Sequence, residues 1–132
     1  MGAINPEEGQ IREVIEGVPK GVPVVMLNML KFREKAAYPD GRAGVSGEEA
    51  YAAYTRAAFK QVQKVGGELV WFGDAKASVI GPPDEAWDQV FLVRYPSIEK
   101  FFEMVNSAAY QEVVVHRTSA LLDSRLIAVL ER

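Results

Sequence analysis

The chain has 132 residues and a mass of 14.6 kDa, the size of a single domain with one hydrophobic core. Hydrophobic residues make up 48% of it and charged residues 25%, a composition that excludes disorder as the main state. Its net charge of −3 offers no positive field for a phosphate backbone, so we expect no nucleic-acid partner. The absence of cysteine excludes disulfides, thiolate metal sites and cysteine nucleophiles. We therefore treat residues 1–132 as one domain.

Residues 1–20 are predicted to form a helical extension of the core. They contain glutamates but no apolar segment of the kind that a signal peptide needs. Residues 6–16 carry apolar side chains on one side and are followed by Gly17-Val18-Pro19, a pattern typical of a short helix. No apolar segment approaches the roughly 20 residues that cross a bilayer. We therefore expect a cytoplasmic protein without a membrane partner, with its core over residues 22–131.

Residues 22–32 are predicted to form a strand that is apolar on both faces. The even positions include Val24 and Met26, and the odd positions include Val25 and Leu27. A strand that is buried on both faces needs a layer on each side, and a chain of this size supplies only one layer of helices. We infer that a second subunit covers the other face.

The remaining elements follow from turn residues, caps and periodicity. Residues 33–47 are rich in turn-forming residues and predict a long loop, for which one interpretation is a lid. Ser46 and Glu49 match a capping box that begins a helix, and Gly66-Gly67 ends it. The later segments are a strand over 69–80 with a bulge or bend at Gly73, a strand over 89–95, a helix capped by Ser97, a helical piece over 108–122 capped by Ser107, and a strand over 125–131.

The order of these elements predicts an α+β fold. After the short first helix it reads βαββαβ, the ferredoxin-like arrangement, in which helices cover one face of a four-stranded antiparallel sheet. The other face would expose the apolar residues of the first and last strands, an area large enough to mark an interface. We therefore expect a homodimer formed through the open sheet faces.

Six short motifs occur in a characteristic order along residues 22–131. They are Asn28-Met29-Leu30-Lys31-Phe32, Ala50-Tyr51-x-x-Tyr54, Gly66-Gly67, Trp87-Asp88, Arg94-Tyr95-Pro96-Ser97 and Ser107-x-x-Tyr110-Gln111. Together they resemble an uncharacterised family of dimeric α/β-barrel proteins, domain of unknown function 1330. The resemblance implies a homodimer whose two sheets close into a barrel, but it implies no reaction. The wider superfamily includes cofactor-free monooxygenases, isomerases, dehydratases and haem-dependent enzymes, and a shared fold does not choose among them.

The natural cavity of this fold lies between the helices and the sheet, so polar residues there are candidate substrate-binding residues. Asn28 interrupts an apolar strand, where it would either orient a substrate carbonyl or hydroxyl or be satisfied by neighbouring backbone. Tyr54 would direct a phenol into the cavity, and Trp71 would line an aromatic pocket. Both residue types are also ordinary components of a core.

The charged candidates lie later in the chain. Arg94 and Tyr110 are predicted to hold a carboxylate or an enolate together, with a surface ion pair and a packed tyrosine as the structural alternative. Asp88 or His116 would move a proton. His116 is the only histidine in a chain without cysteine, so we expect neither haem nor a metal ion, and no other cofactor.

Three functions remain open at this point. The first is a cofactor-independent enzyme that catalyses proton transfer, isomerisation or oxygenation of a small molecule. The second is a dimer that binds a small molecule without turnover, and the third is a structural homodimer. A titratable group beside Asn28 or Tyr54 favours the enzyme, an apolar pocket favours binding, and a filled cavity favours the structural dimer.

Overall fold

A computed structural model describes residues 2–132, and it is built around one four-stranded antiparallel sheet. The elements in chain order are α1 (Gln10–Gly17), β1 (Val24–Phe32), α2 (Gly47–Lys64), β2 (Glu68–Asp74), β3 (Gln89–Tyr95), α3 (Ile98–Val105), α4 (Ala108–Ala120) and β4 (Leu121–Val129). The strand order across the sheet is β2-β3-β1-β4, so β1 is a central strand. This architecture confirms the predicted α+β ferredoxin-like fold.

The capping residues set the starts of three helices where the sequence predicted them. The Ser46 hydroxyl accepts from the Glu49 amide at 3.0 Å, and the Glu49 carboxylate accepts from the Ser46 amide at 3.0 Å, which completes the capping box of α2. Ser97 and Ser107 each accept an amide hydrogen from the residue three positions later. These bonds satisfy amide groups that have no partner within the first turn of a helix.

Two predicted strand boundaries are wrong. The strand predicted over 69–80 ends at Asp74, because β3 begins at Gln89 opposite Asp74 and no strand pairs with residues 75–80. The register shift in β2 lies between Leu69 and Trp71 rather than at Gly73. The last strand begins at Leu121 instead of 125, because Leu121 takes an extended conformation directly after α4 and pairs with Phe32.

Strand β1 presents one apolar row to the helices and another to the open face of the sheet. Val24, Met26 and Leu30 are almost fully buried in the helix-facing core. On the opposite face, residues directly opposite one another form one apolar row across all four strands: Trp71, Leu92, Leu27 and Ile127. Nothing in residues 2–132 forms a second layer over that row. The two-faced strand predicted from the sequence is therefore present.

The segment 33–46 packs against the helix layer through backbone hydrogen bonds. The Arg33 amide donates to the Ala120 carbonyl at 2.8 Å, and the Ala37 amide donates to the Ser119 carbonyl at 2.9 Å. Tyr38 from the middle of this segment is buried. These contacts fix the segment to the end of α4, so it forms a wall of the helix layer rather than the lid considered above. No helix within residues 2–132 has the length and apolarity that crossing a membrane requires.

Gly47 lies where β1, the 33–46 segment and the end of α4 converge. A Cβ at this position would stand 2.1 Å from the Arg33 carbonyl oxygen and 2.7 Å from the Ala120 carbonyl oxygen. Since both are backbone atoms, we expect Gly47→Ala to lower the free energy of unfolding by about 2 to 3 kcal/mol. Gly17→Ala is the matched control, because no atom lies within 4 Å of its Cβ. Urea denaturation measures both, and equal losses would contradict the close approach at Gly47.

Candidate functional site

Two hydrophobic clusters fill the layer between helices and sheet, and they meet at two aromatic side chains. Tyr54 of α2 and Phe91 of β3 pack against both clusters. The polar residues around this junction are the candidate site, which we call the polar seam: Asn28, Tyr51, Tyr54, Tyr110 and Arg117.

Asn28 lies in the helix-facing row of β1. Its direct neighbours across the sheet are Phe91 of β3 and Leu126 of β4. Its side-chain Nδ2 donates to the carbonyl oxygen of Met26 at 3.1 Å, while no residue within 2–132 donates to its Oδ1. The backbone thus satisfies the side-chain NH₂ group of Asn28, whereas its Oδ1 is available as a hydrogen-bond acceptor.

The three tyrosines of the seam differ in how their hydroxyls are satisfied. The Tyr54 and Tyr110 hydroxyls lie 2.7 Å apart and share a hydrogen bond. The ring of Tyr51 lies 5.2 Å from that of Tyr54 and 6.4 Å from that of Phe91, between ring centroids. Although Tyr51 is only 5% exposed, its hydroxyl has no hydrogen-bond partner in the described part of the chain. A buried phenol usually has one, so this hydroxyl is a candidate ligand donor.

Burial also raises the pKa of two tyrosines of the seam. Removal from water disfavours the charged phenolate, which raises the pKa of Tyr51 and of Tyr54 well above the ordinary value of tyrosine. The neighbouring Tyr110 raises the pKa of Tyr54 further, while the positive charge of Arg117 acts in the opposite direction on both tyrosines. Tyr51 and Tyr54 are therefore hydrogen-bond donors at neutral pH and do not act as bases.

Arg117 is the cation of the seam, and the sequence analysis gave it no role. It lies seven residues after Tyr110 on α4, which places the two side chains on one helix face. Its Nη1 donates to the Ile4 carbonyl at 2.8 Å, and its Nη2 lies 3.5 Å from the Ser124 hydroxyl. The side chain is half-buried, and no ion pair within residues 2–132 includes it. The spacing from Tyr110 was the available sequence signal.

Arg94 does not join Tyr110, so the predicted joint anion site does not form within this chain. Side chains alternate along β3, and because Val93 and Tyr95 face the helices, Arg94 faces the open side of the sheet. Its guanidinium bonds to Glu131 at 2.8 Å and to Glu68 at 2.7 Å. These carboxylates hold the pKa of Arg94 above its ordinary value. The observed state is the ion pair of the structural alternative.

Trp71 and the two proton-transfer candidates also lie outside the seam. Trp71 is 54% exposed on the open face. Asp88 is exposed, and its Oδ2 accepts from the Phe32 amide at 2.7 Å, which ties down the end of β1. His116 contacts the Tyr38 hydroxyl through Nδ1 at 2.6 Å, so it reaches the seam only through Tyr38, which packs in the cluster of Tyr51.

Two surface grooves of the described residues also lie elsewhere. One of about 560 Å³ is lined by residues such as Lys31, Glu85 and Arg125, and one of about 610 Å³ runs along α1. No three His, Asp or Glu side chains within residues 2–132 come together as metal ligands. Of the predicted site residues, the structure thus joins Tyr54 and Tyr110 directly, and it places Asn28 on the same side of the sheet, opposite Phe91.

A ferredoxin-like α+β domain with these motifs defines the class of protein, and the family follows from comparison. The family model described as Domain of unknown function (DUF1330) matches residues 36–130, and the chain belongs to this family. The crystal structure of RPA0582, a protein of unknown function from Rhodopseudomonas palustris, is 40% identical with a TM-score of 0.90, and the match covers 100% of both chains. The methylated form of RPA0582 is 42% identical with a TM-score of 0.92, over 99% of this chain and 96% of that one.

More distant structures share only the fold. A dimeric protein of unknown function from Bacteroides fragilis is 8% identical with a TM-score of 0.54, over 83% of this chain and 96% of that one. SnoaB, a cofactor-independent oxygenase from Streptomyces nogalater, is 10% identical with a TM-score of 0.53, over 84% of this chain and 94% of that one. No curated protein matches the chain.

The two α2 tyrosines of the seam should respond differently to loss of the hydroxyl. Tyr54→Phe leaves the Tyr110 hydroxyl without its partner, so we expect the free energy of unfolding to fall by about 1 to 2 kcal/mol. Tyr51→Phe removes a hydroxyl that has no partner within residues 2–132, so we expect the free energy of unfolding to stay the same or to rise by up to about 1 kcal/mol. Urea denaturation at pH 7 gives both values. A loss at Tyr51 as large as that at Tyr54 would show that its hydroxyl is bonded within the protein.

Proposed function

We propose that the protein binds a small molecule in the polar seam. The observation that carries this proposal is a pair of unpartnered polar atoms, the Oδ1 of Asn28 and the hydroxyl of Tyr51, in an otherwise apolar layer. An unsatisfied buried polar group costs about 1 to 3 kcal/mol, which a ligand that bonds to it recovers. The rings of Tyr51, Tyr54 and Phe91 would provide the apolar walls that are typical of such sites.

Neither unpartnered atom is fully enclosed by the protein. The fully enclosed polar side-chain atoms without a partner in residues 2–132 are Arg33 Nε and Ser119 Oγ, and neither seam atom is among them. Asn28 presents an acceptor and Tyr51 a donor. A ligand that carries both a donor and an acceptor on a planar apolar body therefore complements the seam.

Cofactor-independent catalysis is the second candidate function. SnoaB, which shares the fold, is a cofactor-independent oxygenase. The protonated phenols of Tyr51 and Tyr54 would stabilise negative charge that develops on a substrate oxygen. His116 would supply a proton acceptor only by way of Tyr38. Binding is the better supported function, because neither Asp88 nor His116 contacts the seam directly.

The open sheet face supports a homodimer as the assembly in which this site operates. Its central row is apolar across all four strands, whereas its two ends are charged. Arg94 pairs with Glu131 and Glu68 at one end, and Arg125 pairs with Asp123 and Glu85 at the other. An apolar centre with a polar rim is the usual anatomy of a protein interface. The Bacteroides fragilis protein with this fold is dimeric.

The binding proposal is tested with 4-hydroxybenzamide, a planar probe with donors and an acceptor. Ligand-observed NMR titration should detect binding to the wild type, and we expect Asn28→Ala and Tyr51→Phe each to weaken it by about tenfold, the effect of one hydrogen bond. Asn5→Ala, at an exposed position, is the matched control and should leave the affinity unchanged. Absence of binding, or binding that both seam variants leave unchanged, would refute the site.

The homodimer is tested by the mass in solution. Size-exclusion chromatography with light scattering should give twice 14.6 kDa at micromolar concentration. Ile127→Lys places a charge in the central row, so we expect it to shift the protein towards monomer. Ile15→Lys is the matched control on α1, since the two isoleucines are 48% and 50% exposed. A monomeric wild type, or equal effects of the two substitutions, would contradict this interface.

A further inference from the structure

We propose that the polar seam takes a ligand with a carboxylate group, which bonds to the guanidinium of Arg117 and to the hydroxyl of Tyr51. The inference rests on the proposed function and adds the class of ligand, a small planar aromatic monocarboxylate. It assigns to Arg117 the anion-binding role that the sequence analysis placed at Arg94.

The first argument is the incomplete set of partners around Arg117. A guanidinium has five N–H donors, and here it has one good hydrogen bond, to Ile4, and one long contact, to Ser124. Arg94 and Arg125 are also half-buried, and each contacts two carboxylates. A half-buried charge without a counter-ion is costly, and a bound anion removes that cost. Arg33 also makes no ion pair within residues 2–132. It lies beyond the end of β1, at the start of the 33–46 segment, and is not part of the seam.

The guanidinium of Arg117, on α4, reaches the sheet at Ser124. Ser124, which it contacts, lies directly opposite Leu30, and Asn28 lies opposite Leu126 two residues further along β4. Ser124 and Asn28 are therefore diagonal neighbours on adjacent strands. Residues in this relation are about 7 to 8 Å apart, which is close to the length of one aromatic ring with its substituents. Leu30 and Tyr51 belong to the same buried cluster. The guanidinium, the Tyr51 hydroxyl and the Asn28 amide therefore lie on the same side of the sheet, around Leu30.

The polar groups of the seam complement an aromatic carboxylate that bears a hydroxyl group. A carboxylate accepts charge-assisted hydrogen bonds from a guanidinium, and the Tyr51 phenol is protonated at neutral pH and can donate to the same carboxylate. At the other end, Asn28 offers an acceptor, which suits a hydroxyl on the ligand. The ring of Phe91, opposite Asn28 on the sheet, packs against the ring of Tyr51 with 6.4 Å between centroids, and these two rings would supply apolar contact. An aromatic carboxylate that bears a hydroxyl group satisfies all three polar residues.

The test compares 4-hydroxybenzoate with 4-hydroxybenzamide, two probes of the same shape that differ in charge at pH 7. We expect the wild type to bind the acid at least about tenfold more tightly than the amide in NMR or calorimetric titration, as for a hydrogen bond to a charged group. Arg117→Gln should reduce this preference to within about twofold. Arg117→Lys keeps the charge and should keep a preference for the acid. Arg56→Gln, on the exposed surface of α2, is the matched control and should leave the preference unchanged.

The outcomes separate this inference from the proposed function. Equal binding of the two probes, or a preference that survives Arg117→Gln, overturns the carboxylate site while the seam remains a binding site. Failure of both probes to bind the wild type overturns the proposed function and the inference together. Should Arg117→Gln fail to fold, loss of the preference in Arg117→Lys counts against the role of its positive charge.

Discussion

A central strand that is apolar on both faces must be covered on both sides, and β1 is such a strand. Its helix-facing row, with Val24 and Leu30 almost fully buried, anchors the core. Its other row, centred on Leu27, aligns with apolar residues of the other three strands and has no covering layer within residues 2–132. One side of the sheet therefore accounts for the stability of the domain. The other side accounts for its proposed assembly.

Only polar residues on the same face of the sheet can act together. Asn28 is the polar member of the helix-facing row, and α2 and α4 bring Tyr54 and Tyr110 to the same layer. Arg94 is separated from them by the thickness of the sheet, where two glutamates neutralise it. Arg117 lies on the side of Tyr110, and no carboxylate of residues 2–132 pairs with it. The distribution of counter-ions thus distinguishes Arg94, which pairs with Glu68 and Glu131 on the open face, from Arg117, for which we propose a ligand.

The elements that the sequence predicted well are those with local signals. Ser46, Ser97 and Ser107 cap their helices because the bonds involved span three residues. The position of Arg94 was not predictable, because β3 is apolar on both faces and only its pairing with β1 decides which row faces the helices. Arg117 comes soon after three consecutive apolar residues, Val113-Val114-Val115. Because these residues point in different directions around a helix, the sequence does not show which side of α4 faces the sheet. Val79 and Ile80 have strand-forming side chains but no strand to pair with.

The central claim is that the seam is an incomplete polar site that a ligand completes, within a dimer closed by the open sheet faces. A crystal structure of the protein purified from its expression host without added ligand tests this most directly. The account predicts two copies packed through the Leu27 row, and electron density for a small molecule between Arg117 and Asn28. A seam closed by its own side chains, with Asn28 Oδ1 and the Arg117 guanidinium bonded to protein atoms, would contradict it.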